Sequence, residues 1–293
     1  MMEHSKSKSL ICAFVLILAL VVAQAGMAAT QFTTLEYPGA AETDVYSVSN
    51  NGAAVGFYLD SNYGLHGFRW FQGQFTSIDV PGAWYSFAYG GNNSGAIVGS
   101  YGDPNGLHGF LFAEGAFTTI DIPGARRTQA FGINDRGQIV GVYIGENDDW
   151  WHGYLYDHGD IQTIDVPNAV NTMPIGINDL GEISGSNEIS NGPNSFTWVG
   201  FVKDSNGFKT IAPPSSVIAE AGQISNTGTV VGDYSDDAYS SIVHRFVMTD
   251  GNFLQLDFPD AVRTFVSGVN ERGWTVGRFV DTNYRKHSFL TMP

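Results

Sequence analysis

Six copies of one unit of about 43 residues follow residue 30, and this periodicity restricts the chain to a repeat architecture. The copies begin Phe32-Thr-Thr-Leu-Glu-Tyr-Pro38, Phe75-Thr-Ser-Ile-Asp-Val-Pro81, Phe117-Thr-Thr-Ile-Asp-Ile-Pro123, Ile161-Gln-Thr-Ile-Asp-Val-Pro167, Phe208-Lys-Thr-Ile-Ala-Pro-Pro214 and Phe253-Leu-Gln-Leu-Asp-Phe-Pro259. A second landmark keeps step: Gly56, Gly99, Gly141, Gly185, Gly232 and Gly277 lie 43, 42, 44, 47 and 45 residues apart. Whole units therefore recur, not isolated motifs.

Alternating apolar and β-branched residues cut by turn signals predict four short strands per unit. In the third unit these are Ala130 to Ile133, Gln138 to Ile144, His152 to Tyr156 and Ile161 to Val166. The first turn opens with Ser49, Asn92, Asn134, Asn178, Ser225 or Asn270 and ends on Gly52, Gly95, Gly137, Gly181, Gly228 or Gly273. A short polar side chain can bond the backbone there, and glycine accepts the positive φ that continues the hairpin. Gln72-Gly73, Glu114-Gly115, His158-Gly159, Asn206-Gly207 and Asp250-Gly251 suit a tight hairpin between the third and fourth strands.

The chain enters this pattern on a fourth-type strand, Phe32 to Tyr37, and leaves it on a third-type strand, His287 to Met292. The expected fold is therefore an all-β six-bladed propeller, four antiparallel strands per blade, with the N-terminal strand completing the last blade and closing the ring. A parallel β-solenoid is the rival, but tight hairpins demand antiparallel neighbours. Residues 30–293 are expected to form this single domain.

Residues 1–29 have the layout of a cleaved signal peptide: Lys6 and Lys8, an apolar stretch from Leu10 to Ala23, then small residues to Ala29. The apolar stretch is shorter than the roughly 20 residues that span a bilayer, so export to the periplasm or the exterior is expected, without stable membrane insertion. Cys12, the only cysteine, lies in that stretch, so the mature chain is expected to hold no disulfide or thiolate site. The 14 Lys and Arg against 29 Asp and Glu argue against a nucleic-acid partner. A monomer is expected.

In a four-stranded blade the two tight turns share one face, and the variable second-to-third and fourth-to-first connections share the other. Binding chemistry usually sits on such loops. The candidate ligand-binding residues there are Trp84, Tyr85, Arg126, Arg127, Asp148, Asp149, Trp150, Trp151, Arg263 and Tyr284. Aromatic platforms beside amide and carboxylate groups can hold sugars or peptides; the plainer reading is a set of exposed loops. Asp60, Asn62, Asp103 and Asn105 resemble fragments of an oxygen-ligand Ca²⁺ loop but lack its full ligand set and closing glutamate, so turns are the default there and no cofactor is expected.

Histidine recurs at His66, His108, His152, His244 and His287, and aspartate at Asp79, Asp121, Asp165 and Asp257. Repetition points to a blade-internal hydrogen bond for the histidines and to backbone capping for the aspartates, rather than to catalysis. No Gly-x-Ser-x-Gly elbow, His-Glu-x-x-His helix or phosphate-binding glycine loop is present.

Gly64-Leu-His66-Gly67-Phe68, its copy Gly106-Leu-His108-Gly109-Phe110, and Ile133-Asn134-Asp-Arg-Gly137-Gln-Ile-Val-Gly141 resemble the HAF-repeat family of extracellular bacterial proteins, named for a His-Ala-Phe tripeptide. Here glycine takes the middle position, and other units read His152-Gly153-Tyr154, His244-Arg245-Phe246, His287-Ser288-Phe289 and Val199-Gly200-Phe201. The resemblance implies export and a repeated β fold, and carries over no activity or catalytic residue. Three functions stay open: a non-enzymatic module binding an extracellular glycan, protein or cell-surface component; a polysaccharide hydrolase or lyase using Asp148, Asp149, Arg126 and Arg127, with carboxylates converging near the central channel; and a structural surface or matrix component.

Overall fold

The computed structural model describes residues 31–193, 195–237, 244–258 and 260–292. The expected signal peptide, Cys12 and Pro259 lie outside them. The described residues form 24 strands. Blade 1 is β2 (Glu42–Val48), β3 (Ala54–Leu59), β4 (Leu65–Phe71) and β5 (Gln74–Ile78); blade 2 is β6 (Tyr85–Gly91), β7 (Ile97–Asp103), β8 (Gly106–Ala113) and β9 (Ala116–Ile120). Blade 3 is β10 (Ala125–Ile133), β11 (Ile139–Gly145), β12 (His152–Asp157) and β13 (Asp160–Thr163); blade 4 is β14 (Asn171–Ile177), β15 (Ile183–Gly192), β16 (Ser195–Asp204) and β17 (Gly207–Ile211). Blade 5 is β18 (Ile218–Ile224), β19 (Val230–Ser235), β20 (His244–Thr249) and β21 (Asn252–Gln255). Blade 6 joins β22 (Arg263–Val269), β23 (Thr275–Val280) and β24 (Lys286–Met292) to β1 (Gln31–Thr34), which pairs antiparallel with β24. The protein is a six-bladed β-propeller whose ring is closed by its N-terminal strand.

The repeated residues explain themselves in three dimensions. Every first-turn glycine has φ between 74° and 89°, and the amide at each turn's end bonds back to the carbonyl of the opening Ser or Asn. The aromatic two residues after the third-strand histidine position, Phe68, Phe110, Tyr154, Phe201, Phe246 or Phe289, is the buried centre of each blade. The landmark glycines lie opposite a bulge in the first strand: a Cβ on Gly141 would strike the carbonyl oxygen of Gln129, and a Cβ on Gly232 that of Glu220. No other residue fits there without moving backbone.

Three strand limits differ from expectation by three residues or more, among them the N-terminal strand, which ends at Thr34 rather than Tyr37. The first strand of blade 3 begins at Ala125 rather than Ala130, because its outer half continues as exposed Arg126 and Arg127 across an early register shift. The fourth ends at Thr163 rather than Val166, since Asp165 turns its side chain to His152.

Neighbouring blades are laced at the hairpin end. Asn92, Asn134 and Asn178 each donate an Nδ2 bond to the carbonyl at the same position of the next blade, and Asn270 donates to Ser49, carrying the ladder across the closure. Phe32 adds apolar contact there, edge-on to Phe258 at 4.6 Å and to Phe289 at 5.9 Å.

Candidate functional site

The innermost strands β2, β6, β10, β14, β18 and β22 enclose a cavity of about 380 Å³ in the central channel. Its aromatic lining is Tyr46, Tyr89, Phe131, Trp198 and Phe265, and its charged lining is Asp44, Glu220, Asp233 and Arg278. A smaller cavity of about 60 Å³ lies among the first-turn Asn and Asp residues. Gln223 lines both, and its Oε1 accepts a bond from Ser47 Oγ at 3.2 Å, spanning from blade 5 to blade 1.

The repeat breaks at this cavity. Six equivalent cross-strand pairs flank the channel: Asp44 with Phe57, Phe87 with Ser100, Gln129 with Val142, Met173 with Ser186, Glu220 with Asp233, and Phe265 with Arg278. Hairpin and core positions follow the repeat, whereas these pairs hold charge only in blades 1, 5 and 6. On the third strand the next residue in register is Gly67, Gly109, Gly153 or Gly200 in four blades, where a Cβ would crowd the following blade. Blade 6 has Ser288 and blade 5 has Arg245.

Arg245 is 0% exposed, the largest fully buried side chain of the described residues. Its Nε lies 2.9 Å from Asp233 Oδ1, and its guanidinium lies 4.1 Å from the ring centre of Phe265 in the next blade. Arg278 lies 4.4 Å from the same ring, and its Nη1 bonds Asp44 Oδ2 at 3.0 Å in the blade beyond. Asp233, Arg245, Phe265, Arg278 and Asp44 thus form one chain of contacts across blades 5, 6 and 1.

Burial sets the electrostatics. It raises the Asp233 carboxyl to about 7, against the opposing pull of Arg245. It also raises Glu220, again opposed by Arg245, and Asp44, opposed by Arg278. Burial likewise holds the Tyr46 phenol neutral and pushes Tyr89 up to about 12. Asp233 Oδ1 and Arg245 Nε are close without an aligned hydrogen bond, and Asp44 Oδ1 and Arg245 Nη2 have no hydrogen-bond partner among the described residues.

A second feature adjoins the cavity. The hairpin of β15 and β16 has ten residues in each strand, longer than its counterparts in the other blades. Trp198 lines the cavity, and Phe196, two residues before it on the same sheet face, lies 6.5 Å from the Trp150 ring of blade 3. An aromatic track therefore leads from the channel towards the loop face.

Of the residues singled out from sequence, the structure joins some and leaves others apart. Arg126 Nη2 bonds both the Asp148 carbonyl and Asp149 Oδ1 at 2.8 Å, and Trp150 meets Phe196. Trp151 is tied through its backbone to Asn171 and Thr172. Tyr85 packs on Phe87, while Trp84, at 67% exposure, Arg127, Arg263 and Tyr284 stand out from their own blades. Sequence reasoning missed Asp44, Glu220, Asp233, Arg245 and Arg278. Their signal was departure from the repeat, most plainly arginine where four units have glycine.

The histidines make blade-internal bonds. His66, His108 and His152 place Nδ1 at 3.2, 3.0 and 2.8 Å from Asp79, Asp121 and Asp165, and His287 pairs with Glu36 on the closing strand segment. The other ring nitrogen faces the loop acids Asp60, Asp103, Asp148 and Asp281. Asp79, Asp121 and Asp165 thus hold histidines more than they cap backbone, and among the described residues only Asp165 of these aspartates also accepts a backbone amide, from Gly153; Asp257 instead accepts the side-chain amide of Gln255, which lies 3.4 Å from His244 Nδ1. Asp60 Oδ1 accepts the amides of Asn62 and Gly64, and Asp103 Oδ1 those of Asn105 and Gly106. Among the described residues no group of three or more His, Cys, Asp and Glu is arranged to hold a metal ion.

The sequence matches no protein-family model and no curated protein. Solved propellers share the fold. A protein of unknown function from Dyadobacter fermentans aligns at TM-score 0.53 and 9% identity, covering 90% of this chain and 99% of that one. The Aleuria aurantia lectin in complex with Fucα1-6GlcNAc aligns at 0.52 and 10% identity, covering 86% and 93%. The propeller domain of the trilobed protease from Pyrococcus furiosus aligns at 0.51 and 10% identity, covering 85% and 95%.

Proposed function

We propose that this protein is an exported, non-enzymatic propeller of the HAF-repeat type that binds an extracellular saccharide in its central channel. The observation that carries the reading is the set of side chains gathered there: aromatic rings, three of them at one repeated position as Tyr46, Tyr89 and Phe131, together with carboxylates and an arginine that break the repeat, line a cavity of about 380 Å³. Ring faces take the apolar faces of a sugar, and fixed polar groups on rigid strands orient its hydroxyls. The fold it shares with a fucoside-bound lectin supports the same reading.

A thermal-shift screen of the purified protein against neutral, amino, acidic and fucosylated oligosaccharides tests this, because a ligand that prefers the native state raises Tm. Saturable stabilisation that Trp198→Ala removes supports the reading; no shift with any saccharide refutes it.

A second reading, polysaccharide hydrolysis, draws on the same cavity. Asp233, raised to about 7 beside Glu220, has the properties of a general acid next to a second carboxylate. It predicts release of new reducing ends, abolished by Asp233→Asn.

A further inference from the structure

We propose that the channel cavity selects amine-bearing sugars, the 2-amino-2-deoxy units of a deacetylated polysaccharide, a specificity that rests on the saccharide-binding reading above. The charges inside the cavity, and the hydrogen-bond partners they lack, point to such a ligand.

Three acids, Asp44, Glu220 and Asp233, line it. Both nearby arginines are already committed: Arg278 to Asp44 Oδ2 at 3.0 Å, and Arg245 to Asp233 at 2.9 Å. Glu220 is exposed to the channel, and its side chain makes no hydrogen bond or ion pair among the described residues. Asp44 is only 3% exposed, yet its Oδ1 has no hydrogen-bond partner. Among the described residues the cavity therefore offers one buried acceptor without a donor, Asp44 Oδ1, an exposed carboxylate without an ion pair, Glu220, and no uncommitted cation.

An ammonium group answers that deficit, since it brings three donors and one positive charge. The carboxylates of Asp44 and Glu220 attract it, and the rings of Tyr46, Tyr89, Phe131 and Trp198 add cation–π attraction while stacking on the sugar. A uronate or sulfate would bring a second negative charge beside Glu220 with no free arginine to meet it. N-acetylation would remove the positive charge and add bulk. The chain's net charge of −15 steers in the same direction.

Calorimetric titration of the full chain near neutral pH with β-1,4-linked trimers of glucosamine, N-acetylglucosamine, glucose and galacturonic acid tests the proposal, with choline as a cation lacking a sugar ring. The glucosamine trimer is expected to bind about tenfold or more tighter than the N-acetylated and neutral trimers, and the acidic trimer weakest. Glu220→Gln, with Tm recorded to show that the fold is kept, is expected to erase the preference for the glucosamine trimer over the neutral ones. Asp44→Asn should act in the same direction, with Tm recorded alongside. Equal or tighter binding of a neutral trimer, a preference that survives Glu220→Gln, or choline binding as tightly as the amino trimer would overturn the amine specificity while saccharide binding stood. Failure of every trimer and of the wider oligosaccharide screen would overturn both.

Discussion

Arg245 and Arg278, on adjacent blades, hold their guanidinium carbons 4.1 and 4.4 Å from the centre of one ring, that of Phe265. Two like charges so placed repel, and each is offset by its own carboxylate, Asp233 or Asp44, with the ring between them supplying negative quadrupole. Phe265→Leu keeps apolar volume but removes that attraction. We expect a loss of about 1–2 kcal/mol by urea denaturation, with a larger loss at low salt than at high salt.

Asp233→Asn leaves Arg245 buried without its counter-charge. Because the fold already favours a neutral group at position 233, the cost of the single variant is expected to fall well short of the roughly 3–5 kcal/mol of a fully charged buried pair. Arg245→Gly restores the residue found in four other blades, so the double variant Asp233→Asn, Arg245→Gly is expected to be more stable than Asp233→Asn alone. Chemical denaturation of the three variants decides this.

Asp233 also imposes a pH dependence with a definite sign. Its folded pKa of about 7 lies above the ordinary aspartate value of 3.8, so the fold favours its protonated form. That contribution is full below about pH 4 and is lost as pH rises through about 7. The loop acids behave oppositely: backbone amides hold Asp60, Asp103 and Asp281 low, and the His152 hydrogen bond does so for Asp148, so their contribution is present above 3.8 and fades in stronger acid. Burial pulls His152 down, but two carboxylates together outweigh it and leave the imidazole raised, so its contribution fades above about 6.5. Stability should therefore decline from about pH 5 to about pH 8, and Asp233→Asn should flatten most of that slope in a Tm-versus-pH series.

Gly141→Ala drives a methyl into the Gln129 carbonyl at the bulge of blade 3. We expect a cost of about 3 kcal/mol or more, or failure to fold. Gly115→Ala, at a turn with open space but φ of 80°, should cost only about 1 kcal/mol. Denaturation midpoints of the two variants separate steric collision from backbone strain.

The architecture was legible because each repeated residue plays a single structural part, with glycine at a positive φ or opposite a bulge, an aromatic in the blade centre and asparagine at the turn. The histidines followed the same logic. The channel was not legible, because its residues come from three strands of six blades and no stretch of sequence sets Asp44 beside Arg278 or Arg245 beside Phe265. Trp84, Tyr85, Arg263 and Tyr284 stood out instead, and their variability marks exposed loops as readily as sites. Comparing the copies position by position for departures, not agreements, would have found Arg245.

The most direct test of channel binding is the equilibrium affinity of a stabilising oligosaccharide for the wild type, Trp198→Ala and Trp84→Ala, each checked for native Tm. Channel binding predicts that Trp198→Ala weakens affinity at least about tenfold while Trp84→Ala leaves it unchanged. Loss of binding on removal of Trp84, with Trp198→Ala unaffected, would contradict it and move the site to the outer loops.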